Sequence, residues 1–283
     1  MSKLIRTWLY CPAHQLDVVR KASTTRADAI VIDLEDSVPG EAKVLGRTNM
    51  RSALDLPSRP ERWVRINPLD SIWAADDLRA VSQAQPEGVR IAKCESVDAV
   101  KRFADSAQLP ITLIIETGLG LERIFDLSSA HPLVVGVSLG EADLRASLRI
   151  DADEGLAWAR GRLVVAAGAA GLPSPSQSVY TKVSDADGLR TTSEAARGAG
   201  FFGRSVIHPR QIDIVNSVFT PSVDQVASAR HTLSLLQQAQ ANDRAALLDE
   251  SGTFIDPAVA ERASAIVQLH DQLLKESLEM ELR

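Results

Sequence analysis

The sequence predicts a TIM (β/α)8 barrel with a C-terminal helical extension, on three observations: eight short apolar runs, helical patterns between them, and a long stretch after the last run. The runs cover residues 7–13, 29–36, 63–67, 88–94, 111–117, 133–140, 174–180 and 203–209. Between them, 76–85, 96–107 and 153–171 show helix start signals and a period near 3.6; in the last, Leu156, Leu163, Val164 and Ala167 fall on one face. Alternation of strand and helix implies parallel pairing through right-handed crossovers, and eight such units close on themselves. The run at 174–180 departs from the rest, because Ser174-Pro175-Ser176-Gln177 is polar and proline sits badly in a central strand. An open doubly wound sheet is the competing architecture. The barrel is assigned to residues 1–221 and the extension to 222–283. In the extension, Val259, Ala263, Ile266, Val267, Leu273 and Leu274 form a stripe on a helix beginning near Asp256-Pro257, with His270 as its polar interruption. A second helical pattern, from Ser222 to about Arg244, offers that stripe a partner through Val226, Leu233 and Leu236. The barrel or a neighbouring subunit is the other surface it can cover.

Composition narrows the function. The 283 residues are 45% hydrophobic, 24% charged and 4% aromatic, as in ordinary globular proteins. Lys and Arg number 31 against 37 Asp and Glu, a net charge of −6, so no overall positive field exists to hold a nucleic acid. Apolar runs such as 111–115 and 133–137 are strand-sized, far short of a membrane span, and no apolar signal segment follows Met1, which leads to a cytoplasmic expectation. Cys11 and Cys94 are too few for a disulfide framework or a thiolate zinc site and read as reduced, buried thiols.

Polar residues at strand ends carry the chemistry, since that rim is the active face of such a barrel. The second run ends in Asp33, Glu35 and Asp36; alternation sets Asp33 and Glu35 on one side and Asp36 on the other. The third places Arg65 and Asn67 together, opposite Val64 and Ile66. An inward arginine needs an anion, either a substrate carboxylate or Asp33 or Glu35. Lys93 is a second cation or an internal ion-pair partner. The fifth and sixth runs bring Glu116 and Asp143 to the same rim with no histidine or cysteine nearby, an oxygen pair suited to Mg²⁺ or Mn²⁺. The same pair is also compatible with acid and base catalysis, or with ion pairs to Arg65 and Arg145. At the last strand, in the segment 198–211, Gly198, Gly200 and Gly203 admit a bulky ligand, Arg204 is a candidate for phosphate, and His208 is either catalytic or a structural group at the strand-to-helix junction.

Asp33-Leu34-Glu35-Asp36-Ser37-Val38, Arg65-Ile66-Asn67, Ile115-Glu116-Thr117, Gly140-Glu141-Ala142-Asp143-Leu144, the stretch 203–211 and Phe219-Thr220-Pro221-Ser222 resemble the citrate lyase beta-subunit-like family of the aldolase/citrate lyase superfamily, which includes malyl-CoA and citramalyl-CoA lyases. The resemblance runs from Leu9-Tyr10-Cys11-Pro12 to Phe254-Ile255-Asp256-Pro257. It implies a barrel that is usually trimeric, Mg²⁺ on Glu116 and Asp143, and a substrate bound and polarised by Arg65 with Asn67 beside it. It further implies that Glu35 and Asp36 support the metal shell through water, and that Arg204 and His208, in the stretch 203–211, lie near the CoA moiety. Asp256 becomes the acid/base that reaches a neighbour's site. The implied reaction is reversible Claisen-type cleavage of a 3-hydroxyacyl-CoA thioester into acetyl-CoA and a 2-oxo acid. Ala13, Ala92-Lys93 and Ser176-Gln177 depart from the family pattern, so the expected metal core is kept while the pocket is altered. The alternatives are a metal-dependent aldolase that cleaves 4-hydroxy-2-oxo acids without CoA, and a noncatalytic subunit that keeps the fold.

Overall fold

A computed structural model describes residues 4–242, 245–249 and 251–281. Seven parallel strands, β1 (Thr7–Pro12), β2 (Ala29–Asp33), β3 (Glu61–Ile66), β4 (Gly88–Ile91), β5 (Ile111–Ile115), β6 (Val134–Leu139) and β7 (Arg204–Val206), form a curled sheet in the order β6-β5-β4-β3-β2-β1-β7. The eighth stave is the polar stretch 174–180. Ser176 makes an isolated parallel bridge to Ser138 of β6, and Gln177 makes one to Arg204 of β7, where the Phe202, Gln177 and Ser205 N–H groups donate to the carbonyls of Pro175, Gly203 and Gln177, so the ring closes through a short contact on each side and not a full ladder. Pro175 explains the difference from an expected strand, because it has no N–H to give to a ladder.

The strands are followed by α1 (Leu16–Ala22), α2 (Lys43–Leu54), α3 (Ala74–Ala84), α4 (Val97–Ala107), α5 (Gly118–Glu122), α6 (Ile124–Ser128), α7 (Glu141–Leu148), α8 (Ala157–Ala169), α9 (Ala186–Gly198) and α10 (Ile212–Phe219). Helix α4 shows why they form. The Ser96 side chain accepts from the Ala99 N–H, the apolar face Val100, Phe103, Ala104 and Ala107 turns inward, and Gln108 ends the helix in the left-handed region. Full burial of Val100 and Phe103 is worth roughly 1.5–3 kcal/mol each. All five residues of β2 are buried, as expected of a parallel strand covered on both faces.

Register decides which side chains meet. Asp33, Arg65, Arg90 and Thr112 are paired in sequence across β2, β3, β4 and β5, so they form one row. Parallel partners share a face, and Arg90 lies over the Trp8 ring at 4.3 Å inside the barrel. Gly200 and Gly203 have φ of +98° and +78°, and a Cβ at Gly203 would meet the backbone oxygens of Ile5 and Arg6. These glycines let the chain enter β7 beside β1; the expected room for a bulky ligand is instead filled by the neighbouring strand.

A separate compact unit comprises Leu4 and the described residues from Val218 onward. It holds α11 (Val223–Gln240), the antiparallel pair β8 (Leu247–Leu248) and β9 (Phe254–Ile255), and α12 (Pro257–Glu281). Ser222 and Gln225 form a reciprocal capping box on α11. Leu236, Ile255 and Ala260 form the buried centre, with Leu233, Leu235, Leu247 and Val259 packed on it, and Arg230 meets Asp271 at 3.1 Å. The two helical patterns thus partner each other; the expected end near Arg244 lies outside the described residues. No described helix is long and apolar enough to cross a membrane.

Candidate active site

The rim of the barrel gathers a compact charge network. Asp33, at the end of β2, accepts from the Glu35 N–H at 2.9 Å, the Ser37 N–H at 3.1 Å and the Ser37 hydroxyl. The Arg65 fork donates to it twice, from Nε at 2.6 Å and Nη2 at 2.7 Å. Burial alone would raise its pKa, but the Arg65 charge and these donors hold the Asp33 carboxyl below the usual aspartate range. Arg65 turns Nη1 to Glu35 at 2.9 Å and lies over the Tyr10 ring at 5.1 Å. Of the two partners open to Arg65 within the barrel, Asp33 takes the bidentate place.

Lys93 stands at the centre of the remaining acids. Its Nζ lies 2.5 Å from Glu35, 3.3 Å from Asp36 and 3.9 Å from Asp143. It adopts φ of 49°, an unusual conformation for a non-glycine residue, and its N–H donates to Glu116 Oε1 at 2.7 Å. Glu35 and Asp36 therefore face the same cation. The expected split between them fails because β2 ends at Asp33 and alternation ends with it.

Glu116 is 2% exposed and Asp143 is 42% exposed, in the first turn of α7. Burial, joined by the charges of Glu35 and Asp143, pushes the Glu116 carboxyl up to about 8 against the opposing pull of Arg65. Its Oε2 has no hydrogen-bond donor among the described residues, and a Cβ on Gly140 would run into that oxygen. A buried carboxylate with one oxygen unspent, beside an accessible second carboxylate, is short of positive charge and offers hard oxygen donors. It fits a divalent cation of the Mg²⁺ type.

Other expected residues are placed differently. Asn67 is 1% exposed and its amide is fully engaged: Nδ2 donates to the Leu34 carbonyl and to Asp77, and Oδ1 accepts from Lys43. It braces the rim and does not face a substrate. Arg204 points to the outer layer, where it donates to the Ser178 carbonyl and the Thr192 and Ser193 hydroxyls, because residues at even steps along β7 face the helices. His208 caps the short turn Pro209–Gln211, with Nδ1 accepting from the Arg210 N–H at 3.1 Å. This is its structural alternative. Asp256 lies in the second unit and caps α12 by accepting from the Val259 N–H at 2.9 Å.

Two buried cations escaped the sequence reading as site residues. Lys43, on the first turn of α2, donates to the carbonyls of Leu34 and Glu35 and to Asn67, clamping the loop that carries Glu35. Arg90, fully buried below the rim, donates through Nη2 to Ser138 at 2.8 Å. A charge in the middle of the apolar run Val89-Arg90-Ile91 was the available signal for it.

Acids and cations gathered over the strand ends of a parallel barrel occupy the face on which TIM-barrel enzymes carry their active sites. The chain belongs to the HpcH/HpaI aldolase/citrate lyase family, whose sequence profile matches residues 6–209. It is 34% identical to a (3S)-malyl-CoA thioesterase of Cereibacter sphaeroides over 83% of this chain and 84% of that one. It is 29% identical to the citrate lyase beta subunit of Escherichia coli, over 93% and 92%. Among solved structures, CitE of Mycobacterium tuberculosis in complex with magnesium, acetoacetate and coenzyme A aligns with a TM-score of 0.83 at 27% identity, covering 95% of this chain and 98% of that one.

Proposed function

We propose that this protein is a divalent-cation-dependent carbon–carbon lyase. Its substrate is a 3-hydroxyacyl-CoA thioester of malyl, citramalyl or citryl type, and its products are acetyl-CoA and a 2-oxo acid. The observation that carries this reading is Glu116, a buried carboxylate with one bare oxygen beside Asp143. The magnesium, acetoacetate and coenzyme A held by the similar CitE support it.

Glu116 and Asp143 would hold Mg²⁺, with Mn²⁺ as a substitute. When bound, the ion supplies Lewis acidity toward the hydroxyl and carboxylate oxygens of the substrate. The chain's own residues do the positioning. Asp33 fixes the Arg65 fork, so that the guanidinium presents its Nη1 edge to substrate oxygens in place of Glu35. Glu35 and Asp36 hold Lys93 over the rim, where its ammonium balances the charge of the departing keto acid. Glu35 accepts the hydroxyl proton, the carbon–carbon bond breaks, and its electron pair moves into the thioester as an enolate. Asp256, contributed by a neighbouring copy in a homotrimer or a multiple of it, protonates that carbon to give acetyl-CoA.

The thioesterase relative favours a second reading, in which water attacks the thioester carbonyl and CoA leaves as the thiol. One experiment separates the two. With Mg²⁺ and (3S)-malyl-CoA, the lyase releases glyoxylate and acetyl-CoA, whereas the thioesterase releases malate and free CoA. If neither pair forms with malyl-, citramalyl- or citryl-CoA, both readings fall and the CoA-free aldolase reaction becomes the one to assay.

A further inference from the structure

We propose that the outer layer of the barrel carries a second binding site, for a small oxyanion that also bears a hydroxyl: hydrogen phosphate or a 2-hydroxy acid. The site is a cleft of about 410 Å³ whose walls include Arg145 of α7, Arg160 of α8, Gln177 of the polar stave, Thr192 and Ala195 of α9, and Arg204 of β7. None of its residues belongs to the Asp33, Arg65, Lys93 and Glu116 network at the rim.

The argument begins with Arg204, which is 3% exposed. Its Nε and Nη1 donate to neutral oxygens only, at 3.0 Å to the Ser178 carbonyl and at 2.8 and 2.9 Å to the hydroxyls of Thr192 and Ser193. Among the described residues no carboxylate lies within 4 Å of it, and Nη2 has no acceptor. A buried guanidinium without an anion is expensive to keep, and its planar fork suits an oxyanion. Burial accordingly pushes its pKa down to about 10, against the opposing pull of Glu141 and Tyr180.

The carboxylates of the cleft do not relieve this deficit. Glu141 is gripped at both oxygens by Arg160, at 2.8 and 2.7 Å, and Asp153 is shared by Arg160 at 2.7 Å and Arg145 at 2.5 Å. Three guanidiniums thus face two carboxylates, and Arg204 is the one left over. Gln177 supplies an independent observation: its Oε1 is buried with no donor. A ligand oxygen on Arg204 and a ligand hydroxyl toward Gln177 satisfy both groups at once. This pairing selects hydrogen phosphate or a hydroxy acid over a simple anion.

The test is thermal unfolding of the full chain with inorganic phosphate or with glycolate, against chloride at matched ionic strength. Saturating ligand is expected to raise Tm by about 5 °C. A response to phosphate alone assigns the phosphate source and a response to glycolate alone the hydroxy acid. Arg204→Gln is expected to abolish the response. Ala195→Glu, at an exposed helical position, brings a carboxylate into the wall of the cleft and is expected to abolish it without loss of fold. Should Arg204→Gln not fold, Ala195→Glu decides alone. No rise with either anion, or a rise that survives in Ala195→Glu, overturns the proposal, because the anion then binds elsewhere or not at all.

Discussion

Single residues at the rim divide into those that make the site and those that keep it in shape, and substitution separates them. Glu116→Gln removes a hard oxygen donor while keeping size and the bond from the Lys93 N–H. Lyase or thioesterase turnover is expected to fall by roughly 100-fold or more, with Mg²⁺ binding by calorimetry lost and Tm little changed. Asp33→Asn instead leaves Arg65 buried without its bidentate carboxylate, which is expected to lower stability by about 3 kcal/mol in urea unfolding. Because the folded Asp33 pKa lies below its ordinary 3.8, its stabilising effect is full above that value and is lost as pH falls through the lowered one. The gap between wild type and Asp33→Asn should therefore narrow below about pH 4; a gap that stays constant into acid would show that the charge of Asp33 is not what stabilises the site. Arg65, Glu35 and Lys93 were legible as rim charges because each interrupts or ends an apolar run. Their pairings were not, since the side on which Asp36 falls depends on where β2 stops. Lys43 was hidden because it belongs to a helix by pattern and reaches the rim only through the fold.

At the scale of elements, strands written in apolar β-branched residues were readable, and the polar stave was the one that changed form. Alternating patterns report burial, whereas the stretch 174–180 meets β6 through the single bridge of Ser176 to Ser138 and the β7 side through three backbone hydrogen bonds at Pro175 and Gln177, fewer than β2 has on its two sides, information that pattern does not encode. Few shared hydrogen bonds mean a low opening free energy. Amide exchange followed by mass spectrometry should thus show 174–180 exchanging well before 29–33 of β2, which is paired on both sides. Equal protection of the two would remove the view that this stave is loosely held. The junction of β6 and α7 is the opposite case. There Gly140 lets the Glu116 carboxylate lie against the backbone, and Gly140→Ala would push it aside. Its activity is expected to drop at least 10-fold, at a stability loss of about 1–3 kcal/mol.

For the whole barrel, its two thiols provide a measure of how cooperatively it holds together. Cys11 in β1 and Cys94 just after β4 are both free and buried. Burial, with the Asp33 charge added, pushes the Cys11 thiol up to about 12; burial and the Glu116 charge push Cys94 up as well. Only a thiolate attacks a disulfide reagent, so neither residue should react while the barrel is closed. In rising urea, modification by 5,5′-dithiobis(2-nitrobenzoate) at pH 8 is expected to begin with the loss of far-ultraviolet circular dichroism. Both thiols should share its midpoint, because β1 and β4 belong to one seven-stranded sheet and are each paired to a strand on both sides. If Cys94 reacted well before Cys11, the rim around Glu116 would be opening separately from the strands beneath it, and the acids there would owe their positions to local packing instead of to closure of the barrel.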